Sequence, residues 1–166
     1  MANVDAPRGF IKWESGGKNL RLSSYTKGGE EIFKGDLVNL DASGNVVPYD
    51  KGDNLVLGVA AQYAAASATT ILVEDDPDAL YLAQVDGTFA LVDVGQNADV
   101  LATNGSATTG ISAHEIETTT FAVTAALPIK ILGLVAKEGN ATGANALVIC
   151  KINNATLGAG TGSTGI

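Results

Sequence analysis

Leu55-Val56-Leu57-Gly58-Val59-Ala60-Ala61-Gln62-Tyr63-Ala64-Ala65-Ala66-Ser67-Ala68-Thr69-Thr70-Ile71-Leu72-Val73 is the stretch whose reading decides the fold. It carries no charge and approaches the roughly 20 predominantly apolar residues that a membrane-crossing helix needs. Gln62, Tyr63, Ser67, Thr69 and Thr70 interrupt it, however, and much of the remainder is Ala. The alanine-rich middle, Ala60 to Ala68, has no caps and is too short to hold as a helix between β-branched runs. The stretch therefore reads as two strands, Leu55 to Gln62 and Thr70 to Val73, joined by a turn of small residues.

Outward from it, short apolar or alternating runs continue in both directions, separated by Gly, Asn, Asp and Pro. Strands are expected at Asn19 to Tyr25, Asp36 to Leu40, Val46 to Tyr49, Ala79 to Val85, Phe89 to Val92 and Val100 to Thr103. Further ones are expected at Phe121 to Thr124, Ile129 to Ala136 and Ala146 to Ile152. Asp41-Ala42-Ser43-Gly44-Asn45, Asp86-Gly87, Asn104-Gly105 and Glu138-Gly139-Asn140 supply turns that tolerate positive φ. Asp76-Pro77-Asp78 has the chemistry of a first helical turn but reads as strand or irregular here. The pattern predicts an all-β fold, a single β-barrel or β-sandwich spanning residues 19–156.

A faint repeat runs through that body. Asp36-Leu37-Val38-Asn39-Leu40-Asp41 echoes Asp99-Val100-Leu101-Ala102-Thr103-Asn104, and Leu57-Gly58-Val59-Ala60 echoes Leu132-Gly133-Leu134-Val135-Ala136. In each copy the Gly would permit a close neighbour or a bulge. Two related halves within one domain would produce this, as would chance in a chain so rich in Ala, Val and Gly.

Both ends differ from the body. Residues 1–18 hold a Pro-Arg-Gly turn, the apolar cluster Phe10-Ile11-Lys12-Trp13 and a Gly pair, the composition of an extended arm that docks on something, either the parent domain or a neighbouring chain. Phe10, Ile11 and Trp13 are the candidate contact residues, with a partner protein or a second copy as the surface they meet. Residues 157–166 are Gly, Thr, Ser and Ala with a terminal Ile, which reads as a flexible tail.

Composition excludes several functions. The chain has 166 residues, 46% hydrophobic but only 5% aromatic, and 10 Lys and Arg against 18 Asp and Glu give a net charge of −8. That sign repels a phosphate backbone, and no basic stripe with interleaved aromatics appears, so nucleic acid is not an expected partner. Nor is a membrane. The N-terminus places an acid before its first base and has no apolar h-region, so no signal peptide is expected. The one cysteine, Cys150, sits in an apolar run and reads as a small buried hydrophobe.

Motifs for chemistry are incomplete. Gly160-Thr161-Gly162-Ser163-Thr164-Gly165 matches a dinucleotide-binding string, yet no helix can follow it, so no cofactor is expected. His114-Glu115-Ile116-Glu117-Thr118 begins like a zinc-protease helix but has Thr where the second His belongs. Ser106 and Ser112 lie near His114 without a nucleophile elbow, which leaves His114 as a surface-loop residue. Glu74-Asp75-Asp76-Pro77-Asp78 is the densest acidic cluster; it lacks the alternating ligands and central Gly of a calcium loop and reads as a solvated turn. The sequons at Asn104, Asn140 and Asn154 read as ordinary turn chemistry. No catalytic or metal site is predicted, and no enzyme.

Three segments together resemble a known family. Met1-Ala2-Asn3-Val4-Asp5-Ala6-Pro7-Arg8-Gly9-Phe10, Asp75-Asp76-Pro77-Asp78-Ala79-Leu80-Tyr81-Leu82-Ala83-Gln84-Val85-Asp86-Gly87 and Val148-Ile149-Cys150-Lys151-Ile152-Asn153-Asn154 are similar to segments of the capsid decoration, or cement, proteins of tailed bacteriophages. The resemblance implies a barrel or sandwich made in the host cytoplasm that binds the outer face of the assembled major capsid protein. It further implies a homo-oligomer, a trimer ahead of a dimer, which bridges capsomers against internal DNA pressure. The alternative is a tail-fibre or adhesin-like module that binds a host-surface glycan, against which the scarcity of aromatics counts.

Overall fold

The computed structural model describes residues 3–13, 21–158 and 162–166. The first strands are β1 (Ile11–Lys12), β2 (Leu22–Thr26), β3 (Leu37–Leu40), β4 (Val46–Pro48), β5 (Gly58–Ala60), β6 (Thr70–Glu74) and β7 (Leu80–Gln84). They are followed by β8 (Thr88–Phe89), β9 (Asn97–Leu101), β10 (Glu115–Ala122), β11 (Ile129–Leu134), β12 (Gly143–Ala144) and β13 (Leu147–Ile152). Strand formation follows the period of two: β6 and β13 alternate buried and more exposed residues, with β-branched or aliphatic side chains on the inner face. The fold is all-β, and among the described residues the one helical element is a 3-10 turn at Leu91–Asp93.

Two antiparallel sheets pack together. The first runs β2-β6-β5-β3-β4 and the second β1-β7-β13-β11-β9-β10, with a ribbon of β8 and β12 beside them. The stretch Leu55 to Val73 forms β5 and β6, paired at Val59 with Glu74 and Ala60 with Val73, as two strands joined by a small-residue turn.

The sheets repeat one topology. Taken in chain order, β2, β3, β4, β5 and β6 occupy the same relative places as β7, β9, β10, β11 and β13. Lesser features repeat as well. A parallel bridge joins the residue after β2 to β4 (Lys27 with Val46), and another joins the residue after β7 to β10 (Val85 with Ile116). The accompanying hydrogen bonds correspond: the Gly28 N–H donates to the Val46 carbonyl at 2.8 Å, and the Asp86 N–H to the Ile116 carbonyl at 3.0 Å. The Ile32–Ala64 bridge stands where the β8·β12 ribbon stands in the second half. The segments that echo each other in sequence fall on β3 and β9, and on β5 and β11, so they mark equivalent strands. Their glycines serve the two expected purposes. A Cβ on Gly58 would lie 2.1 Å from the Glu74 carbonyl oxygen, whereas Gly133 has open space and follows a register shift in β11.

Each half has its own apolar cluster. Ile32, Val38, Val46, Leu57, Ile71 and Val73 belong to the first. Tyr81, Val100, Ile116, Ile131 and Val148 belong to the second, which also takes in Leu37, Tyr49 and Val59 from the first half and so glues the halves together.

Both described ends lie against the second half. Residues 3–13 run along the second half: the Asn3 side chain bonds backbone at Ala141 and Ala144, Gln84 bonds backbone at Val4 and Ala6, and β1 adds to β7. The rest of the expected arm, 14–18, and the start of the strand expected at Asn19 lie outside the described residues. Of the expected tail, residues 162–166 lie against the second sheet. The Asn97 amide donates to the Ser163 carbonyl at 2.7 Å, Lys130 Nζ to the Thr164 carbonyl at 2.6 Å, and the Ile166 N–H to the Gly95 carbonyl at 3.2 Å. Composition suggests flexibility there, but the receptors for its backbone are Asn and Lys side chains far away in sequence.

Two strand expectations are corrected. Phe89 to Val92 begins as β8 but turns into the 3-10 segment, because the Asp93 carboxylate accepts the Ala90 N–H at 2.7 Å and pulls the chain round. Phe121 to Thr124 is the end of the longer β10, whose polar Thr118-Thr119-Thr120 run hides a β-branched strand.

Candidate functional site

Polar contacts, several of them buried, cross the seam between the halves. Tyr49, after β4, donates its hydroxyl to Asp99 Oδ1 on β9 at 2.5 Å, and burial together with that carboxylate raises the phenol's pKa. Lys51 bridges to Glu117 on β10 at 2.7 Å, while the Glu117 Oε2 atom is buried without a hydrogen bond. Asn154, after β13, offers its carbonyl to the Val56 N–H at 2.9 Å. These contacts tie the connection between β4 and β5 to the second half.

His114 lies at this seam, which corrects its surface-loop reading: it is 3% exposed. Its Nδ1 accepts the Leu37 N–H at 3.3 Å, so the proton of the neutral ring belongs on Nε2, which faces Asp36 Oδ1 at 3.4 Å. Burial pushes the imidazole pKa down, and the Asp36 charge only partly opposes it. Burial likewise raises the Asp36 pKa, against His114, Ser112 and the Phe33 N–H. A Ser-His-Asp relay would need the imidazole between hydroxyl and carboxylate. Here the Ser112 hydroxyl oxygen accepts the His114 backbone N–H at 3.0 Å, and the basic ring nitrogen is occupied by the Leu37 N–H. Sequence reading missed this pair because its partners come from Asp36 and Leu37, far away in the chain.

Asp36 and His114 reach the wall of an open cleft of about 530 Å³, whose rim carries Glu30, Glu31 and Asp50. The carboxylates are dispersed: among the described residues, no group of three or more His, Cys, Asp or Glu converges to hold a metal ion.

The acidic cluster at 74–78 is likewise part of the scaffold. Asp75 is 2% exposed and receives Arg21 Nε at 2.8 Å and the Tyr25 hydroxyl. Burial raises its carboxyl pKa, but the Arg21, Tyr25 and Ser23 hydrogen bonds outweigh that and hold it low. Asp76 caps a turn by accepting the Asp78 N–H at 3.0 Å. Cys150 is fully buried in β13 with its sulfur 3.6 Å from the Tyr81 carbonyl, and burial raises the thiol pKa. Two sequon asparagines act as staples: Asn140 ties Val135 to Leu147, and Asn154 receives the Gly162 N–H.

The three arm candidates separate. Phe10 is 2% exposed, packs edge-on against Tyr81 at 6.4 Å between ring centroids, and donates its N–H to the Gly35 carbonyl at 2.8 Å. Its side chain is therefore committed to the protein's own core and is unavailable to a partner. Trp13 is half-buried with its N–H on the Leu80 carbonyl, and Ile11 is 44% exposed.

A different apolar surface emerges around the 3-10 turn. Leu91 and Val92 are 67% and 77% exposed. Next to them, the Gly95 N–H donates to the Ile131 carbonyl, and Gly95 carries the Ile166 side chain over its Cα. The Gly165 N–H reaches the Val123 carbonyl. Leu132, Val123 and Ile166, on segments hydrogen-bonded to one another at this end, are exposed as well.

No protein-family model, curated protein or solved structure matches the chain.

Proposed function

We propose that the protein is a virion structural protein, a capsid decoration protein that binds the outer surface of the assembled major capsid lattice and stabilises the head. The observation that carries the reading is the exposed apolar turn Leu91-Val92 with Leu132, Val123 and Ile166 around it, set on an otherwise acidic body. Contiguous exposed apolar surface is the kind that docks on another protein. Ile11 and Trp13 join the contact set as secondary candidates. Each half is read as a small, incompletely closed barrel, since its sheet curls until opposite edges bridge at Lys27–Val46 or Val85–Ile116. Buried seam contacts give a stiff body, which a clamp between capsomers needs, and many copies on a lattice make modest affinity per copy sufficient.

Thermal release of packaged DNA from heads tests the stabilising role. Heads lacking the protein should release DNA at a lower temperature, and adding purified protein should restore the wild-type value; an unchanged release temperature rejects the proposal.

A further inference from the structure

The two halves differ at one sheet edge. In the second half β1 covers the start of β7: Ile11 pairs with Leu82, and the Trp13 N–H donates to the Leu80 carbonyl at 2.8 Å. Superposing the equivalent bridges, Lys27 on Val85, makes Leu22 the counterpart of Leu80 and Ser24 that of Leu82. Odd-numbered residues of this segment bond inward to β6. The Arg21 carbonyl accepts the Asp75 N–H at 3.2 Å, and the Lys27 N–H donates to the Thr69 carbonyl at 2.9 Å. Even-numbered residues face outward, as the Gly28 N–H shows by reaching Val46. The outward N–H and C=O groups of Leu22 and Ser24 have no partner among the described residues.

We propose that this edge of β2 pairs with the same edge of a second copy of the chain, antiparallel about a twofold axis at Ser23, so that Leu22 of each copy lies opposite Ser24 of the other. The internal repeat indicates what covers such an edge: in the second half it is an extended strand of this same chain. That strand, β1, is engaged at β7, and β2 of a second copy offers an extended segment complementary to the same edge. Leu22-Ser23-Ser24-Tyr25-Thr26 lacks the charge or Pro that keeps edges apart. Self-pairing sets Arg21 opposite Tyr25 rather than another cation, and Leu22 opposite a small hydroxyl. Leu72 pairs with Ser24 on β6, and Leu22 and Leu72 are 54% and 38% exposed. Pairing would therefore align Leu72, Ser24 and Leu22 of the second copy in one row across the axis. A slot this short gives weak association, and the contact is independent of capsid binding.

Sedimentation velocity on the full chain at rising concentration tests it. Wild type should pass from monomer to dimer, doubling its mass. Ser24→Lys adds an edge charge and should remain monomeric at concentrations where wild type dimerises, with an unchanged melting temperature. Ser24→Pro removes only an outward N–H and should do the same. Ser23→Cys, placed at a non-hydrogen-bonded pair about 4.5 Å apart, should give a disulfide-linked dimer on oxidation. Cys150 is buried, and Ser43→Cys in an exposed turn serves as the unlinked control. A wild type that is monomeric throughout, a dimer indifferent to Ser24→Lys, or no more linkage by Ser23→Cys than by Ser43→Cys overturns the proposal.

Discussion

Phe10 and His114 are the residues whose roles change most between sequence and structure, and both changes come from partners distant in the chain. Phe10 stands in an apolar cluster that suits an arm, but its ring fills space beside Tyr81 that Gly9 and Gly35 allow the backbone to approach: a Cβ on Gly9 would lie 2.4 Å from the Gly35 carbonyl oxygen. Phe10→Ala should cost about 3 to 5 kcal/mol in urea unfolding, while Ile11→Ser should stay within about 0.5 kcal/mol; equal effects would contradict the assignment. His114 ionises in the unfolded chain near its ordinary 6.5 and lower when folded. The unfolded state then takes the proton first, so stability falls as pH drops below about 6.5, by at most about 1.4 kcal/mol per pH unit. Asp36, raised above its ordinary 3.8, has the opposite sign: its contribution is present below that value and is lost as pH rises through the folded-state pKa. His114→Asn keeps an acceptor near Leu37 and should flatten the acid limb of stability measured from about pH 7 down to about pH 5.5; an unaltered slope would contradict the buried neutral ring.

At the scale of elements, what alternates is legible and what depends on remote pairing is not. β6 and β13 announce themselves by alternation, and the stretch from Leu55 to Val73 could be read as strands because polar residues break it. β1 is two residues long and exists only because β7 offers an edge, and β12 exists only opposite β8. The 3-10 turn has strand-like composition and is set by one carboxylate at Asp93. Of the candidate surface, Leu91 and Val92 were in view only as strand residues, since their exposure depends on that turn. The faint echo between β5 and β11 proved informative, and its glycines give a contrasting pair. Gly58→Ala drives a methyl into the Glu74 carbonyl and should cost about 1 to 3 kcal/mol or more. Gly133→Ala meets open space and should be close to neutral, so comparable losses in their melting curves would contradict the assigned difference.

For the whole molecule, one topology used twice gives two packed sheets with a polar seam, and both described ends lie against the second. Removing residues 162–166 takes one of two acceptors from the Asn97 amide, frees Lys130 and the Gly95 carbonyl from their partners in this segment, and uncovers Gly95. Truncation should lower stability by about 1 to 3 kcal/mol, where a loose tail would leave it unchanged. The same docking holds Ile166 beside the turn at Leu91-Val92, joining the C-terminus to the proposed capsid-facing surface. Co-sedimentation of the purified protein with capsids lacking it tests the central claim most directly. Wild type should pellet saturably with the capsids, while the folded Leu91→Ser/Val92→Ser variant should stay in the supernatant; wild type remaining in the supernatant, or the variant pelleting equally well, would contradict the account.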